Sequence, residues 1–300
     1  MHSPPLTLID RFLSRRARPD PQHLADIAHL KPMVVITGGS RGIGKALANR
    51  FVREGCGVVL VARHANTLQT ATNDIRSRYP KADVWMLACD ITEKNAVEKL
   101  KAGVEQQGGY IDVFINNAGL GLSGAFVDHS RPSVENLINL NIAGLTKFTH
   151  ALLPDMLARG RGGIINICSL GAYVPGPYQA TYYASKSYVQ SLTEAIGYEN
   201  RGRGVRIHAS LPGPVNTPFH TEMDASSSLY QWLVPMMLPE RTAASIVRSY
   251  KLGRRVAIPG IINTCLAIAL RVLPHPVSIP IVAFLLQPRQ TAAKKPKRTR

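Results

Sequence analysis

Acidic side chains are scarce in this chain: 19 Asp and Glu stand against 36 Lys and Arg, a formal net charge of +17 over 300 residues. The shortage implies attraction to something anionic, whether a phosphate-bearing cofactor, acidic lipid or nucleic acid, and it names a sign rather than a partner. Cysteine is sparse too. Cys56, Cys89, Cys168 and Cys265 are widely spaced, with no C-x-x-C pair and no His/Cys group of metal spacing. That pattern excludes a disulfide framework and fits reduced core thiols in a cytoplasmic setting, with no metal expected. There is no nucleic-acid reader motif and no basic stripe interleaved with aromatics, so no specific nucleic-acid partner is expected. Nor does an h-region with a small-residue cleavage site follow the polar, proline-bearing residues 1–31, whose one amphipathic piece spans 6–13. A secretory signal is therefore not expected.

What the chain does have is a regular alternation beginning at Met33. MVVIT is a short apolar run that reads as a buried strand, residues 42–54 have helical periodicity, and GVVLVA is a second buried strand. The pattern continues with a helix near 65–79, strand VWMLA, a helix near 93–107, strand VFIN and a long helix near 133–158. Strand GIINICS, a helix carrying TYYASK, strand VRIHASL, a helix near 240–252 and strand RVAIP complete it. Seven apolar strands separated by helices predict an α/β fold with a doubly wound, mainly parallel sheet covered on both faces, of the Rossmann type. Four segments follow: an arm at 1–31, the α/β body at 32–260, an apolar helical extension at 261–288 and a basic tail at 289–300.

The first strand runs into TGGSRGIG at 37–44. Glycines there allow a tight turn in which backbone N–H groups and a helix N-terminus can face a pyrophosphate, so Gly38, Ser40, Arg41, Gly42, Ile43 and Gly44 are candidate cofactor-binding residues. A site for NAD usually carries an acid at the end of the second strand; here that strand ends in Ala62 and Arg63. Arg41 and Arg63 can instead converge on a 2′-phosphate, which predicts NADP(H). Asp90, after the third strand, is placed to accept from the adenine amino group; capping the next helix is its competing role.

Chemistry concentrates at TYYASK. Tyr182 and Lys186 are four residues apart and share one helix face, so a nearby ammonium is expected to lower the phenol pKa from about 10 toward the working pH. Tyr178, Tyr183 and Tyr188 lack that offset and are expected to pack or line a pocket. Cys168 is expected to be a core thiol rather than a nucleophile.

With the glycine turn, NNAG at 116–119, Ser169 thirteen residues before Tyr182, Tyr-x-A-S-K and PGPVNT at 212–217, the chain resembles the short-chain dehydrogenase/reductase family from about residue 31 to 260. The resemblance implies that Tyr182 is the general acid of carbonyl reduction, that Lys186 is its electrostatic partner and binds the nicotinamide ribose, that Ser169 orients the substrate carbonyl, and that Asn141 holds a relay water. It also implies cofactor contacts from Asn117, Ala118, Gly119, Pro212, Gly213, Val215 and Thr217, a sheet-stabilising role for Asn116 through backbone contacts, and a homodimer or homotetramer. For Thr217 a plain turn hydroxyl is the alternative. Hydroxyl donors aimed at a carbonyl oxygen suit the charge that builds there.

Residues 218–239, where the family keeps its lid, begin polar and end in Tyr230, Trp232, Leu233, Val234, Met236, Met237 and Leu238, suiting a lipophilic carbonyl substrate such as a 3-oxoacyl or steroid-like compound. In residues 260–287, Arg271, His275 and prolines 274, 276 and 280 interrupt the apolar run. A spanning helix needs roughly 20 apolar residues, so two short helices are expected, lying on an anionic membrane surface with the basic tail, walling the pocket, or forming a subunit contact. A non-enzymatic NADP(H)-binding regulator or membrane-surface scaffold is the competing function.

Overall fold

Strand β1 (Lys31–Thr37) enters the protein exposed at Lys31 and Pro32 and is buried from Met33 onward. Its successive side chains serve two different cores: Val34 and Ile36 pack with one cluster, Met33 and Val35 with the other, the two-residue alternation of a strand covered on both faces. The computed structural model describes residues 19–225 and 228–288. The tail, the piece at 6–13 and Ser226 and Ser227 of the lid lie outside them.

The element order is α1 (Pro21–Ile27), β1, α2 (Gly42–Arg53), β2 (Gly57–Ala62), α3 (Ala65–Arg78), β3 (Val84–Ala88), α4 (Ala96–Glu105) and β4 (Gly109–Asn116). Then come α5 (Arg131–Ile138), α6 (Leu145–Ala158), β5 (Gly162–Ile167), α7 (Ala180–Glu199), β6 (Val205–Ser210), α8 (Phe219–Glu222) and α9 (Tyr230–Leu233). Last are α10 (Pro239–Lys251), β7 (Val256–Ala257), α11 (Ile261–Val272) and α12 (His275–Leu286). The seven strands form one sheet of order β3-β2-β1-β4-β5-β6-β7, with every pairing parallel. The chain winds outward from β1 to β3 and returns to β4, so a crevice opens where β1 and β4 end.

Leu47, Phe51, Leu68, Ile246 and Val247 cover one face of the sheet, and Leu100, Phe148, Leu152 and Met156 the other, where Phe114 stacks on Phe148 with ring centroids 5.3 Å apart. The expected long helix near 133–158 is two helices joined by a π turn at Asn139–Gly144; the wider turn aims Asn141 inward. Arm residues 1–31 contain a helix that the sequence pattern did not predict, α1, started by the Asp20 side chain accepting from the Gln22 N–H. Strand β7 is shorter than RVAIP, with only Val256 and Ala257 paired. Asn116 is paired with Asn166 in the β4–β5 ladder, the expected backbone role, and adds its side chain: its Nδ2 donates to Asn166 Oδ1 at 2.8 Å and Thr149 Oγ1 at 3.2 Å, joining two central strands to α6.

Candidate active site

Both edges of the crevice are fixed by hydrogen bonds between β1 and β4. Thr37 Oγ1 donates to the Ile115 carbonyl at 3.1 Å and accepts from the Asn117 and Ala118 N–H groups at 3.0 and 3.1 Å. Asn117 Nδ2 in turn donates to the carbonyls of Thr37 and Gly38 at 2.9 and 3.2 Å. Gly38 and Gly42 have φ of +64° and +53°, the left-handed region that glycine enters without strain. A Cβ on Gly44 would collide with the Gly38 carbonyl, so this turn closes only on glycine.

One cavity of about 730 Å³ extends from the glycine turn to the lid. Gly38, Ser40, Arg41, Gly42, Ile43, Arg63, Asp90, Asn117, Ala118, Gly119, Ser169, Tyr182, Lys186, Pro212, Gly213, Val215 and Thr217 all line it. Gly44 and Asn141 sit behind its wall. Asn141 is 2% exposed; its Oδ1 accepts from the Leu120 N–H and its Nδ2 donates to the Leu120 carbonyl, both at 2.8 Å, and to Ser185 Oγ at 3.1 Å. A Cβ on Gly119 would stand 3.3 Å from Asn141 Oδ1 and 3.7 Å from Lys186 Nζ, so a bare backbone is what leaves that ammonium approachable.

The electrostatic setting of Tyr182 and Lys186 differs from the sequence expectation. Burial pushes the Tyr182 phenol up, and the group that opposes the rise is the Ser169 hydroxyl, through a hydrogen bond, rather than Lys186. Lys186 Nζ stands 5.7 Å from the Tyr182 ring centroid and donates to the Ile167 carbonyl at 2.9 Å. Burial drives its own pKa down. Lys186 is buried and Tyr182 half-buried in the cavity wall, where the charged form of either is disfavoured, so the phenol holds its proton more tightly than a free one. Cys168, 2% exposed, is pushed up to about 12 by burial and remains a thiol.

The cofactor side also differs in detail. Arg41 is engaged by Glu222 of α8, its Nη2 lying 2.6 Å from Glu222 Oε2. An exposed pair of this kind is worth at most about 1 kcal/mol, weak enough for a phosphate dianion to displace. Asp90 Oδ1 accepts from Thr92 N–H and Oγ1 at 2.9 and 2.7 Å, closing a turn ahead of α4. Burial raises its pKa, but the Thr92 hydrogen bonds and the Arg63 charge outweigh it and leave it lowered. Thr217 Oγ1 donates to the Val215 carbonyl at 3.3 Å, the plain turn role. Of the flanking tyrosines, Tyr183 lines the cavity, exposed Tyr188 reaches Thr146 Oγ1 at 3.1 Å, and the Tyr178 carbonyl accepts from the Gly124 N–H at 2.8 Å.

These residues fit a dinucleotide phosphate. The glycine turn bares backbone N–H groups at the start of α2, no acid ends β2, two guanidiniums flank the rim, and buried Lys186 has three donors with one hydrogen bond made to the protein.

The opposite wall is built by the extension, one of the three placements the sequence left open, although no motif marked the residues that form it. Leu266, Leu270, Ile281, Val282, Leu285 and Leu286 of α11 and α12 line the cavity, and Val282 and Leu286 pack with Val174, Met223, Ala225 and Tyr230. Ser228 Oγ donates to the Leu286 carbonyl at 3.0 Å, stitching lid to extension. Trp232, Leu233 and Leu238 of the lid, expected to meet substrate, are instead 75%, 61% and 48% exposed. Gln179, His220 and Tyr230 carried no motif; their signal was only proximity to TYYASK and the PG turn.

A glycine turn at the switch point of a doubly wound sheet, with serine, tyrosine and lysine above it, defines an oxidoreductase of the kind that acts on CH–OH and carbonyl groups. The chain belongs to the short chain dehydrogenase family, whose model matches residues 32–228. It is 31% identical over 218 residues to a ketoacyl reductase of Nostoc sp., covering 73% of this chain and 75% of that protein. It is 33% identical over 199 residues to a gluconate 5-dehydrogenase of Gluconobacter oxydans, covering 66% and 77%. A short-chain dehydrogenase from Sphingobium yanoikuyae in complex with NADPH superposes with a TM-score of 0.71 at 29% identity, covering 80% of this chain and 91% of that one.

Proposed function

We propose that this protein is an NADP(H)-dependent reductase of ketones or aldehydes on lipophilic substrates, reversible as an alcohol dehydrogenase. The observation that carries the reading is the convergence of Ser169, Tyr182 and Lys186 on the wall of one cavity, between the glycine turn and an apolar lid. Bound NADPH supplies the hydride. Ser169 and Tyr182 hold the carbonyl oxygen, and as charge builds on it the phenol, which burial keeps protonated, donates its proton. Lys186, locked by the Ile167 carbonyl, offers its remaining N–H donors to ribose hydroxyls and its charge to the tyrosinate that forms. Asn141 holds the turn at Leu120 open beside them. Arg41 and Arg63 take the 2′-phosphate.

The apolar wall favours a 3-oxoacyl or steroid-like substrate over a polar one, and the NADPH-bound and ketoacyl-reducing relatives support the cofactor and the subclass. With Asn141, Ser169, Tyr182 and Lys186 all present, a purely cofactor-binding regulator or scaffold is disfavoured. The test is NADPH oxidation across ketones of graded chain length and ring count: activity rising with apolar size and lost in Tyr182→Phe supports the reading, whereas equal turnover by the variant removes Tyr182 from the mechanism.

Among the described residues no helix is long and apolar enough to cross a membrane. Ile261, Ile262, Val272 and Phe284 are nonetheless exposed on α11 and α12. They favour a peripheral contact with anionic lipid, in a segment that the basic residues 289–300 follow in sequence. Sedimentation with vesicles, and mass by light scattering for the expected homodimer or homotetramer, check both points.

A further inference from the structure

Helices α11 and α12 each carry two apolar faces, and the cavity accounts for only one. On α12, Val282, Leu285 and Leu286 line the cavity, while Val277, Ile281 and Phe284, spaced i, i+4 and i+7, form an exposed stripe on the other side. Helix α11 repeats the arrangement. Leu266 and Leu270 line the cavity, and Ile261, Ile268 and Val272 are exposed at the same helical spacing. The polar side chains of α12 are His275 and Ser278, and Ser278 is buried. A helix apolar all round does not keep one side in water, so the outer stripes mark a surface that something apolar covers.

Length and charge say what that is. The two helices have 12 residues each, about 18 Å at 1.5 Å per residue, too short to cross a hydrocarbon core of about 30 Å but enough to lie along its surface. After Glu240 the chain has no further Asp or Glu. Beyond α12 it continues into Arg289, Lys294, Lys295, Lys297, Arg298 and Arg300. Apolar stripes in a segment of one charge suit an anionic lipid surface, whereas stacking two copies on these stripes brings like charges together.

The inner and outer faces meet at Ile281, which lines the cavity and is also 47% exposed on the outer stripe. One turn further on, Leu285 lines the cavity and Phe284 is exposed, so the wall there is one helix thick and apolar through. We infer that the outer stripes of α11 and α12 seat on an anionic lipid surface and that the substrate passes from the acyl layer into the cavity beside Ile281. The inference rests on the reductase reading above and deepens it: the substrate is a bilayer-dissolved carbonyl compound, and lipid is the phase that delivers it.

The test measures NADPH oxidation with hexan-2-one in solution and with heptadecan-2-one dissolved in vesicles, of phosphatidylcholine alone or mixed with phosphatidylglycerol. Wild type is compared with the double variant Ile268→Glu/Phe284→Glu, whose altered side chains do not line the cavity. Wild type is expected to turn over the long ketone about tenfold or more faster in the anionic vesicles than in the neutral ones. The double variant should lose that gain, and about tenfold or more of its vesicle affinity by sedimentation, while keeping kcat/KM on hexan-2-one. A wild type indifferent to phosphatidylglycerol, a variant that behaves as wild type, vesicle binding lost with long-ketone turnover unchanged, or equal losses on both ketones overturns the proposal and leaves the reductase reading standing. So does a drop in oligomeric mass in the variant, which assigns the stripes to a second copy of the chain. Wild type inactive on both ketones overturns the reductase reading and the delivery route with it.

Discussion

The two halves of the cavity are built by different means. On the cofactor side the shape is made mostly by backbone: strand ends, glycines whose Cβ would clash, and the Asn117 and Ala118 N–H groups held by the Thr37 hydroxyl, with the Asn117 side-chain amide on the Thr37 carbonyl. On the substrate side it is made by side chains of short helices, α8, α9, α11 and α12, packed into one apolar cluster. Backbone geometry tolerates almost no substitution, so it leaves a motif. Side-chain packing tolerates many sequences of suitable volume, so it leaves only a composition. The difference teaches that the cofactor side is fixed by the fold, while on the proposed reading substrate choice belongs to the extension.

The comparison can be broken hardest at the seam. Ser169→Ala should lower kcat for ketone reduction by about 10²- to 10³-fold, the usual worth of one oxyanion donor, with NADPH affinity by fluorescence titration unchanged; a shift confined to KM would move Ser169 to binding alone. On the cofactor side, Arg63→Ala should weaken NADPH about tenfold or more while leaving NADH alone, as a charge-assisted hydrogen bond is worth roughly 1.5–3 kcal/mol. Equal loss for both cofactors would contradict the 2′-phosphate role. On the substrate side, Leu270→Ala should spare both cofactors and flatten the chain-length preference, by about fourfold for each substrate methylene left uncovered, from roughly 0.8 kcal/mol per buried CH₂.

The smallest effects come from pH. Because the Tyr182 pKa is raised, the protonated form needed for reduction persists through neutrality. Reduction at saturating NADPH should stay level from about pH 6 to about pH 9, whereas alcohol oxidation, which needs tyrosinate, should climb across that range. His220 has a lowered pKa in the folded state, so the lid contribution of its neutral ring is present above its unfolded value and lost as pH falls through the folded one. Hydrogen exchange in residues 219–230 should accelerate on acidification, and His220→Asn should remove the dependence.

Much of the sheet was legible because its central strands are covered on both faces, so that β1 from Met33 and β2 read as unbroken apolar runs. The glycine turn, Ser169 and the Tyr182–Lys186 pair were legible because tight turns and fixed offsets leave signatures. The phenol pKa was not, since spacing reports that Lys186 is near but not how far burial disfavours the charged form of each group. Arg41 looked free until Glu222, 181 residues away in sequence, appeared beside it. The π turn that aims Asn141 inward, and the meeting of Leu270 and Leu286 with Tyr230, depend on long-range packing that no local pattern encodes.

The most direct measurement is deuterium transfer from 4-deuterated NADPH to an apolar ketone, followed in wild type and Tyr182→Phe at matched cofactor occupancy. If Tyr182 is the proton donor, label appears at the carbinol carbon of the wild-type product in step with NADPH consumed, and transfer is slower by about 10²-fold or more in the variant. Transfer at the same rate in both proteins would contradict that role.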